Sequence, residues 1–261
     1  MDDLFSLEGK TALVTGGGRG IGRMIADGFM RAGATTIISS RNAEVCDEAA
    51  AELSKFGRCI AIPADLARHD ECVRLAGAAH AAVGPLDILV NNAGTTWGAP
   101  VDDFPSTAWD KVLDVNLKGV FYLTQALLGP LREGATSDAP ARIINIGSVD
   151  GIHAPGGEPW AEETYSYSAS KAALHHLTRV LAGRLGPDHI TVNAIAPGPF
   201  ETKMMAHTLA DHAPELARAS PLGRLGRPQD IAGAAIYLAS AAGAWITGVV
   251  LPVDGGIVTT L

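Results

Sequence analysis

The sequence predicts one doubly wound α/β domain on a parallel sheet, and three observations carry that prediction. Seven short β-branched or apolar runs alternate with longer segments whose apolar residues recur every three or four positions. Charged residues make up only 18% of the 261, while apolar residues counted with the 30 glycines reach roughly 58%, above the about 45–50% of an average soluble chain. Much of the chain must therefore be shielded from water on both sides, as strands are when helices cover both faces of a parallel sheet. No linker, charge block, low-complexity segment or internal repeat divides the chain, so residues 1–261 are expected to form a single domain.

The strand candidates, in order, are Ala12-Leu13-Val14, Thr36-Ile37-Ile38, Cys59-Ile60-Ala61-Ile62, Leu86 to Val90, Ile143 to Ile146, Thr191 to Ile195 and Val249 to Val253. Ile21, Met24, Ile25 and Phe29 show the helical spacing that separates the first two. Such alternation means βαβ units with right-handed crossovers and parallel strands, and it puts a ligand at the carboxyl ends of the strands. Ile231 to Val253 carries no charge and is long enough to span a bilayer. Ser240, Gly243, Thr247, Gly248 and Pro252 interrupt it, so it reads as a buried helix, a turn and a core strand.

The charge balance, 20 basic against 28 acidic residues, argues against nucleic acid and for a small-molecule ligand. Cys46, Cys59 and Cys72 form no Cys-x-x-Cys pair. The eight histidines show no metal spacing: His175 and His176 are adjacent, His207 and His212 five apart, and packing or surface roles are expected. No metal is expected. The acidic start Met1-Asp2-Asp3-Leu4-Phe5 has neither a basic nor an apolar signal region, which points to the cytoplasm with no membrane partner.

After the first strand, Thr15-Gly16-Gly17-Gly18-Arg19-Gly20-Ile21-Gly22 leads directly into the first helix. A glycine-rich turn between strand and helix lets the backbone approach a pyrophosphate, to which the helix end offers unpaired N–H groups. Many glycine clusters are simply turns, but further motifs follow in order. They are Asp65-Leu66, Asn91-Asn92-Ala93-Gly94, Asn116 in a helix, Ser148, Tyr167-Ser168-Ala169-Ser170-Lys171, Pro197-Gly198 and Asp254-Gly255-Gly256. Across essentially the whole chain the sequence resembles the short-chain dehydrogenase/reductase family, whose domain is of the Rossmann type. The resemblance implies a nicotinamide cofactor held by Gly16, Arg19, Gly20, Ile21 and Gly22, with Asp65 and Leu66 at the adenine. Asn92, Ala93 and Gly94 would line the adenosine ribose and brace the central strand, and Pro197, Gly198 and Thr202 would complete the cofactor site. Asn91 to Gly94 also reads as a strand-ending turn, and both readings can hold.

At the end of the second strand an Asp or Glu would accept from the ribose 2′-hydroxyl of NAD, but the chain has Ser40-Arg41. Arg41, with Arg19 in the glycine turn, can pair with a 2′-phosphate, so NADP is favoured over the alternative of two solvated arginines.

Tyr167 and Lys171 stand four apart in a helical pattern, on one face. A phenol titrating near 10 is a poor proton carrier at neutral pH, and a neighbouring ammonium would bring it down. Tyr165 is the decoy: four residues beyond it stands Ala169, not a cation. By resemblance Tyr167 exchanges a proton with the carbonyl or alcohol oxygen and Ser148 orients that oxygen. Lys171 also grips the nicotinamide ribose, and Asn116 places a water linking Lys171 to solvent.

Ser148 and Tyr167 are nineteen positions apart, longer than the family's dozen or so, and the extra loop offers Ile152 and Trp160 as walls of the substrate site. The stretch from about 199 to 220, with Met204, Met205 and Leu209, reads as an apolar, adaptable lid. The segments Asn91–Ala99 and Ile143–Val149 look most like bacterial β-ketoacyl reductases of the rhamnolipid-synthesis type. The expected activity is NADPH-dependent hydride transfer to a 3-oxoacyl thioester or similar apolar ketone. A sugar, polyol or steroid dehydrogenase is the alternative substrate class. A non-catalytic NADP-sensing scaffold is the alternative of another kind, which the intact Tyr167/Lys171 pair disfavours. Resemblance further implies a homotetramer or homodimer.

Overall fold

The computed structural model describes residues 4–154 and 163–260. Its centre is a seven-stranded, all-parallel sheet in the order β3-β2-β1-β4-β5-β6-β7. The strands are β1 (Thr11–Thr15), β2 (Thr35–Ser39), β3 (Cys59–Ala61), β4 (Ile88–Asn91), β5 (Ala141–Ile146), β6 (Ile190–Pro197) and β7 (Val250–Val253). Each expected run lies on one of them, with ends shifted by a residue or two. Leu86 falls outside the ladder because its N–H donates instead to the Pro130 carbonyl at 3.0 Å.

The helices are α1 (Gly20–Arg31), α2 (Ala43–Leu53), α3 (His69–Val83), α4 (Ser106–Leu113), α5 (Val120–Ala126), α6 (Leu128–Glu133), α7 (Tyr165–Leu185), α8 (Ala206–Ala219) and α9 (Pro228–Ala239). They cover both faces of the sheet. Because side chains alternate along a strand, Val14 and Ile38 join Ile25, Phe29, Ile231 and Leu238 in one core cluster. Leu13 and Ile37 turn the other way and meet Leu75, Leu123, Leu131 and Leu185. The two-sided burial explains why β5 reads as Ala-Arg-Ile-Ile-Asn-Ile with every residue buried. Residues 231–253 divide into most of α9, a turn and β7, and no helix among the described residues is long and apolar enough to cross a membrane.

The strand order reverses between β1 and β4: the chain goes outward from β1 to β2 and β3, then returns to pair β4 on β1's other side. The loops leaving β1 and β4 therefore part, opening a crevice at the carboxyl end of the sheet.

Candidate active site

The turn from β1 into α1 is built for close approach. Gly16 and Gly20 have φ of 66° and 55°, the left-handed region in which glycine is at ease. A Cβ on Gly16 would lie 3.1 Å from the Ala93 Cα and strike the Asn92 amide, so this backbone packs directly on the end of β4. Thr15 ties the two together: its Oγ1 accepts from the N–H groups of Asn92 and Ala93 at 2.9 and 3.0 Å, and its carbonyl accepts from Asn92 Nδ2 at 2.8 Å. Arg19 at the N-cap of α1 offers no side-chain cap, and the first turn, with Ile21 and Gly22, contains no acid. The leading N–H groups and the positive helix end thus face the crevice uncompensated, a cradle that fits a pyrophosphate.

The other expected cofactor residues surround the same crevice. Ser40 Oγ donates to the Asn42 carbonyl at 2.9 Å, and exposed Arg41 and Arg19 enter no ion pair among the described residues. Asp65 Oδ1 accepts from the Ala67 N–H at 3.2 Å. Leu66 differs: its side chain is in the core, leaving only its backbone to face a ligand. Gly94 lies between Asn116 and Lys171, an added Cβ being 3.4 Å from Asn116 Oδ1 and 3.7 Å from Lys171 Nζ. Pro197 ends β6, and Gly198 donates to the Val253 carbonyl at 3.0 Å. Thr202 approaches Gly20 from the lid side. Beyond that contact a cavity of about 880 Å³ runs between α1, the end of α2 and the lid, outside the crevice that holds Tyr167.

Ser148, Tyr167 and Lys171 come together from β5 and α7. Ser148 follows β5, caps a short 3-10 turn (Val149–Gly151) by accepting from the Asp150 N–H at 3.2 Å, and hydrogen-bonds the Tyr167 phenol. Lys171 is 5% exposed and donates to the Ile146 carbonyl at 2.7 Å, with Nζ 5.5 Å from the centre of the Tyr167 ring. Burial lowers the Lys171 ammonium to about 8, against the pull of Asp150. The spacing does put Tyr167 and Lys171 on one face, but it does not bring the phenol down. Burial first and the Asp150 charge second push Tyr167 up to about 12, with the Ser148 hydrogen bond opposing. The ammonium is drawn to a backbone carbonyl, not to the phenol oxygen, and desolvation wins.

Asn116, expected in a helix, sits in a π-helical segment (Asp114–Gly119) between α4 and α5. Its side chain is used up locally. Oδ1 accepts from the Thr95 N–H at 2.9 Å, while Nδ2 donates to the Thr95 carbonyl and to Ser170 Oγ, both at 3.0 Å. The amide therefore fastens the loop after β4 to α7. Any water it places near Lys171 must use its backbone, and π-segments, with their altered i→i+5 bonding, are common at functional sites.

Tyr165, the decoy, stands at the rim with its ring edge-on to Phe104 at 5.4 Å, and Phe104 meets Trp109 in the same way at 6.1 Å. Burial of its phenol, then Glu163 and Asp102, raise the Tyr165 pKa. Ile152 is 45% exposed near Ser148, as a wall residue must be, whereas Trp160 lies outside the described residues. In the lid, Met204 is exposed and α8 kinks at His212, two residues before Pro214. Phe200 is not part of that exposed face: it is buried against Gly226.

His175, expected only to pack, shapes the site by its packing. Its ring is 3% exposed, Nδ1 faces the Gly151 carbonyl at 3.3 Å, and the ring fills the space that Cβ atoms on Gly147 and Gly151 would take. Burial lowers its pKa to about 4. The unfolded chain takes up this proton near pH 6.5 while the folded chain refuses it until about 4. Stability is therefore intact above about 6.5 and falls as pH drops toward 4, by about 3 kcal/mol for this group. The urea midpoint should fall across that window, and fall less in His175→Gln; parallel curves for the two proteins would contradict the assignment.

Comparison with known proteins agrees with this geometry. Residues 16–258 match the family model described as enoyl-(acyl carrier protein) reductase. The rhamnolipids biosynthesis 3-oxoacyl-[acyl-carrier-protein] reductase of Pseudomonas aeruginosa is 51% identical over 98% of this chain and 99% of its own. Gluconate 5-dehydrogenase of Gluconobacter oxydans is 36% identical over 99% of this chain and 98% of its own. Among solved structures, the NADP active-site complex of Pseudomonas aeruginosa RhlG superimposes with a TM-score of 0.94 at 49% identity, covering 98% of this chain and 99% of that one. With a glycine turn leading into α1, a Ser148/Tyr167/Lys171 cluster at the mouth of the sheet, and full-length matches of this kind, the chain belongs to the short-chain dehydrogenase/reductase family of oxidoreductases.

Proposed function

We propose that this protein reduces the 3-oxo group of an acyl thioester, or a similar apolar ketone, with NADPH. The observation that carries the reading is the meeting of Ser148 and Tyr167 at one point beside the glycine cradle. A carbonyl oxygen held there receives two hydrogen bonds. Bound NADPH would supply the hydride. Tyr167 then gives its proton to the oxygen as charge builds on it, Ser148 holds the oxygen in line, and Lys171 keeps a cation beneath. A phenol held near 12 by burial is protonated throughout the neutral range and can serve as the acid that carbonyl reduction needs. The 51% identical relative named for 3-oxoacyl-[acyl-carrier-protein] reduction supports an acyl substrate over the sugar or polyol class.

Gly16, Arg19, Gly20, Ile21, Gly22, Asp65, Asn92, Ala93, Gly94, Pro197, Gly198 and Thr202 belong to the cofactor site in this proposal, with Leu66 through its backbone. Ser40 and Arg41 set the preference for NADP. The domain spans residues 1–261 with its lid at about 199–220. An assembly of two or four copies in the cytoplasm belongs to the same proposal by family resemblance; sedimentation returning monomers alone at micromolar concentration would remove the assembly.

The test is a cofactor and substrate panel followed by NADPH absorbance. NADPH should bind at least about tenfold more tightly than NADH, since Arg41 offers a charge-assisted bond to the 2′-phosphate. Arg41→Ala should erase most of that preference. Equal affinities in the native protein, or a sugar reduced faster than any 3-oxoacyl thioester, would overturn the corresponding half of the proposal.

A further inference from the structure

Two hydroxyls on α7 make the same pair of bonds, and one of them lies at the site. Thr178 Oγ1 donates to the Leu174 carbonyl at 2.8 Å and accepts from Asn145 Nδ2 at 2.9 Å. Ser170 Oγ donates to the Tyr167 carbonyl at 2.7 Å and accepts from Asn116 Nδ2 at 3.0 Å. Both residues are 0% exposed. A hydroxyl carries one proton, so donation to the helix leaves only its lone pairs for the asparagine, and each link has a fixed direction.

The turn from Tyr167 to Lys171 reaches other elements through three side chains. Tyr167 meets Ser148, Lys171 donates to the Ile146 carbonyl, and Ser170 holds Asn116. In the proposed reaction the first two change partners, because a carbonyl oxygen enters between Ser148 and Tyr167 and the nicotinamide ribose comes to Lys171. The Ser170 bond takes no part in that exchange. Its far end is firmly held as well: both polar atoms of the Asn116 amide are bonded to Thr95, whose neighbour Gly94 lies between Asn116 and Lys171.

We infer that Ser170 is a positioning residue for hydride transfer, whose hydroxyl keeps the Tyr167–Lys171 turn in register with the loop after β4 while Tyr167 and Lys171 change partners. The inference rests on the proposed roles of those two residues. Ser170→Ala removes one oxygen from a helix that accepts alanine well, so α7 survives. The Asn116 amide keeps Thr95 but loses its hold on α7. Reacting atoms misplaced by about 1 Å cost about 10² in rate, so a turn that has lost one of its three fastenings should slow the step about tenfold.

The test compares the native protein with Ser170→Ala and Thr178→Val, each of which loses a single hydroxyl. Both variants should melt a few degrees lower, as the loss of a buried hydrogen-bond partner requires. The rate constant of NADPH oxidation is then taken from single turnovers in stopped flow, with the carbonyl compound that the native protein reduces fastest. Loss of folded protein lowers the amplitude of such a trace and leaves its rate constant alone. Ser170→Ala should lower the rate constant about tenfold while the NADPH Kd and the substrate KM stay within about threefold, and Thr178→Val should keep the native rate constant. Added to Asn116→Ala, where the link is already cut, Ser170→Ala should slow the step by less than about twofold more. An unchanged rate constant in Ser170→Ala, or equal slowing in Thr178→Val, overturns the inference. Hydrogen exchange on the NADPH complexes reads the fastening without turnover: amides 165–172 should exchange at least about tenfold faster in Ser170→Ala, and native rates there also overturn it. Should these amides quicken in a protein whose native form reduces no carbonyl compound, the fastening stands and the proposed reaction fails.

Discussion

Tyr167→Phe should lower turnover about 10²–10⁴-fold while NADPH binding stays near the native value. The substitution removes one oxygen from a half-buried ring on α7 and leaves its packing intact, so the proton is lost and the fold is not. Tyr165→Phe should keep most activity. Its ring packs edge-on against Phe104 at the rim, and Ala169, one turn beyond, provides no cation. Lys171→Ala should do worse than either: it strips the buried ammonium from the Ile146 carbonyl and takes a cation from beneath the phenol, so cofactor affinity should fall with turnover. Initial rates and a cofactor titration on the three variants separate these effects. Near-normal reduction by Tyr167→Phe, with activity abolished in Tyr165→Phe, would reverse the assignment of the proton donor.

A second large effect is expected at a residue that touches no reacting atom. Gly147→Ala would place a methyl 2.7 Å from His175 Cδ2 and closer still to Nε2. The ring cannot swing aside, because it is 3% exposed and its other nitrogen faces the Gly151 carbonyl. Either the ring or the Ser148 turn must yield. Overpacking of this kind costs about 1–3 kcal/mol of stability, and a shift of roughly 1 Å in Ser148 costs about 10² in rate. Adding His175→Ala to Gly147→Ala should restore much of the activity by emptying the contested space, whereas His175→Ala alone leaves a void beside Ser148. The four proteins form a double-mutant cycle whose coupling term reads the contact. An active Gly147→Ala, or a double variant no better than the single, would show that the ring does not brace the turn.

How much of this was legible follows from how each signal is written in the chain. The seven strands were legible because a sheet buried on both faces demands short runs rich in apolar residues, as in β4, where all four residues are buried. The beginning of β5 was not, since Arg142 breaks the apolar run. It is buried nonetheless, with Nη2 donating to the Ser240 carbonyl at 3.0 Å and Nη1 to the Gly243 carbonyl at 3.3 Å, so it serves the carboxyl end of α9 from about a hundred residues away. The glycine turn and the Tyr167/Lys171 pair were legible because their chemistry lies in local spacing. The π-segment at Asn116 left a fainter trace. Ala108, Val112, Asn116 and Val120 are all buried at intervals of four, a run that drifts about 40° per step around a regular helix and stays on one face only if a turn is widened. The role of His175 was out of reach, because its partners Gly147 and Gly151 are identified by side chains they lack.

The ties that hold the crevice also say how this chain can and cannot be altered piecemeal. Thr15 is bonded to Asn92, Thr95 to Asn116, Asn116 to Ser170, Asn91 to Asn145 and Asn145 to Thr178, while Gly198 pairs with Val253. The links run from β1 to the end of β4, from the β4 unit to β5 and α7, and from the end of β6 to β7, so no contiguous fragment much shorter than the run from Thr15 to Val253 contains a complete frame. One stretch facing the substrate obeys another rule. The segment after Thr202, through α8, contributes no strand to the sheet, whereas the turn after Ser148 is held down by His175 and α7. The molecule is therefore indivisible in its chemistry and modular in its selectivity, and exchange of that segment between relatives can change what is reduced without disturbing how.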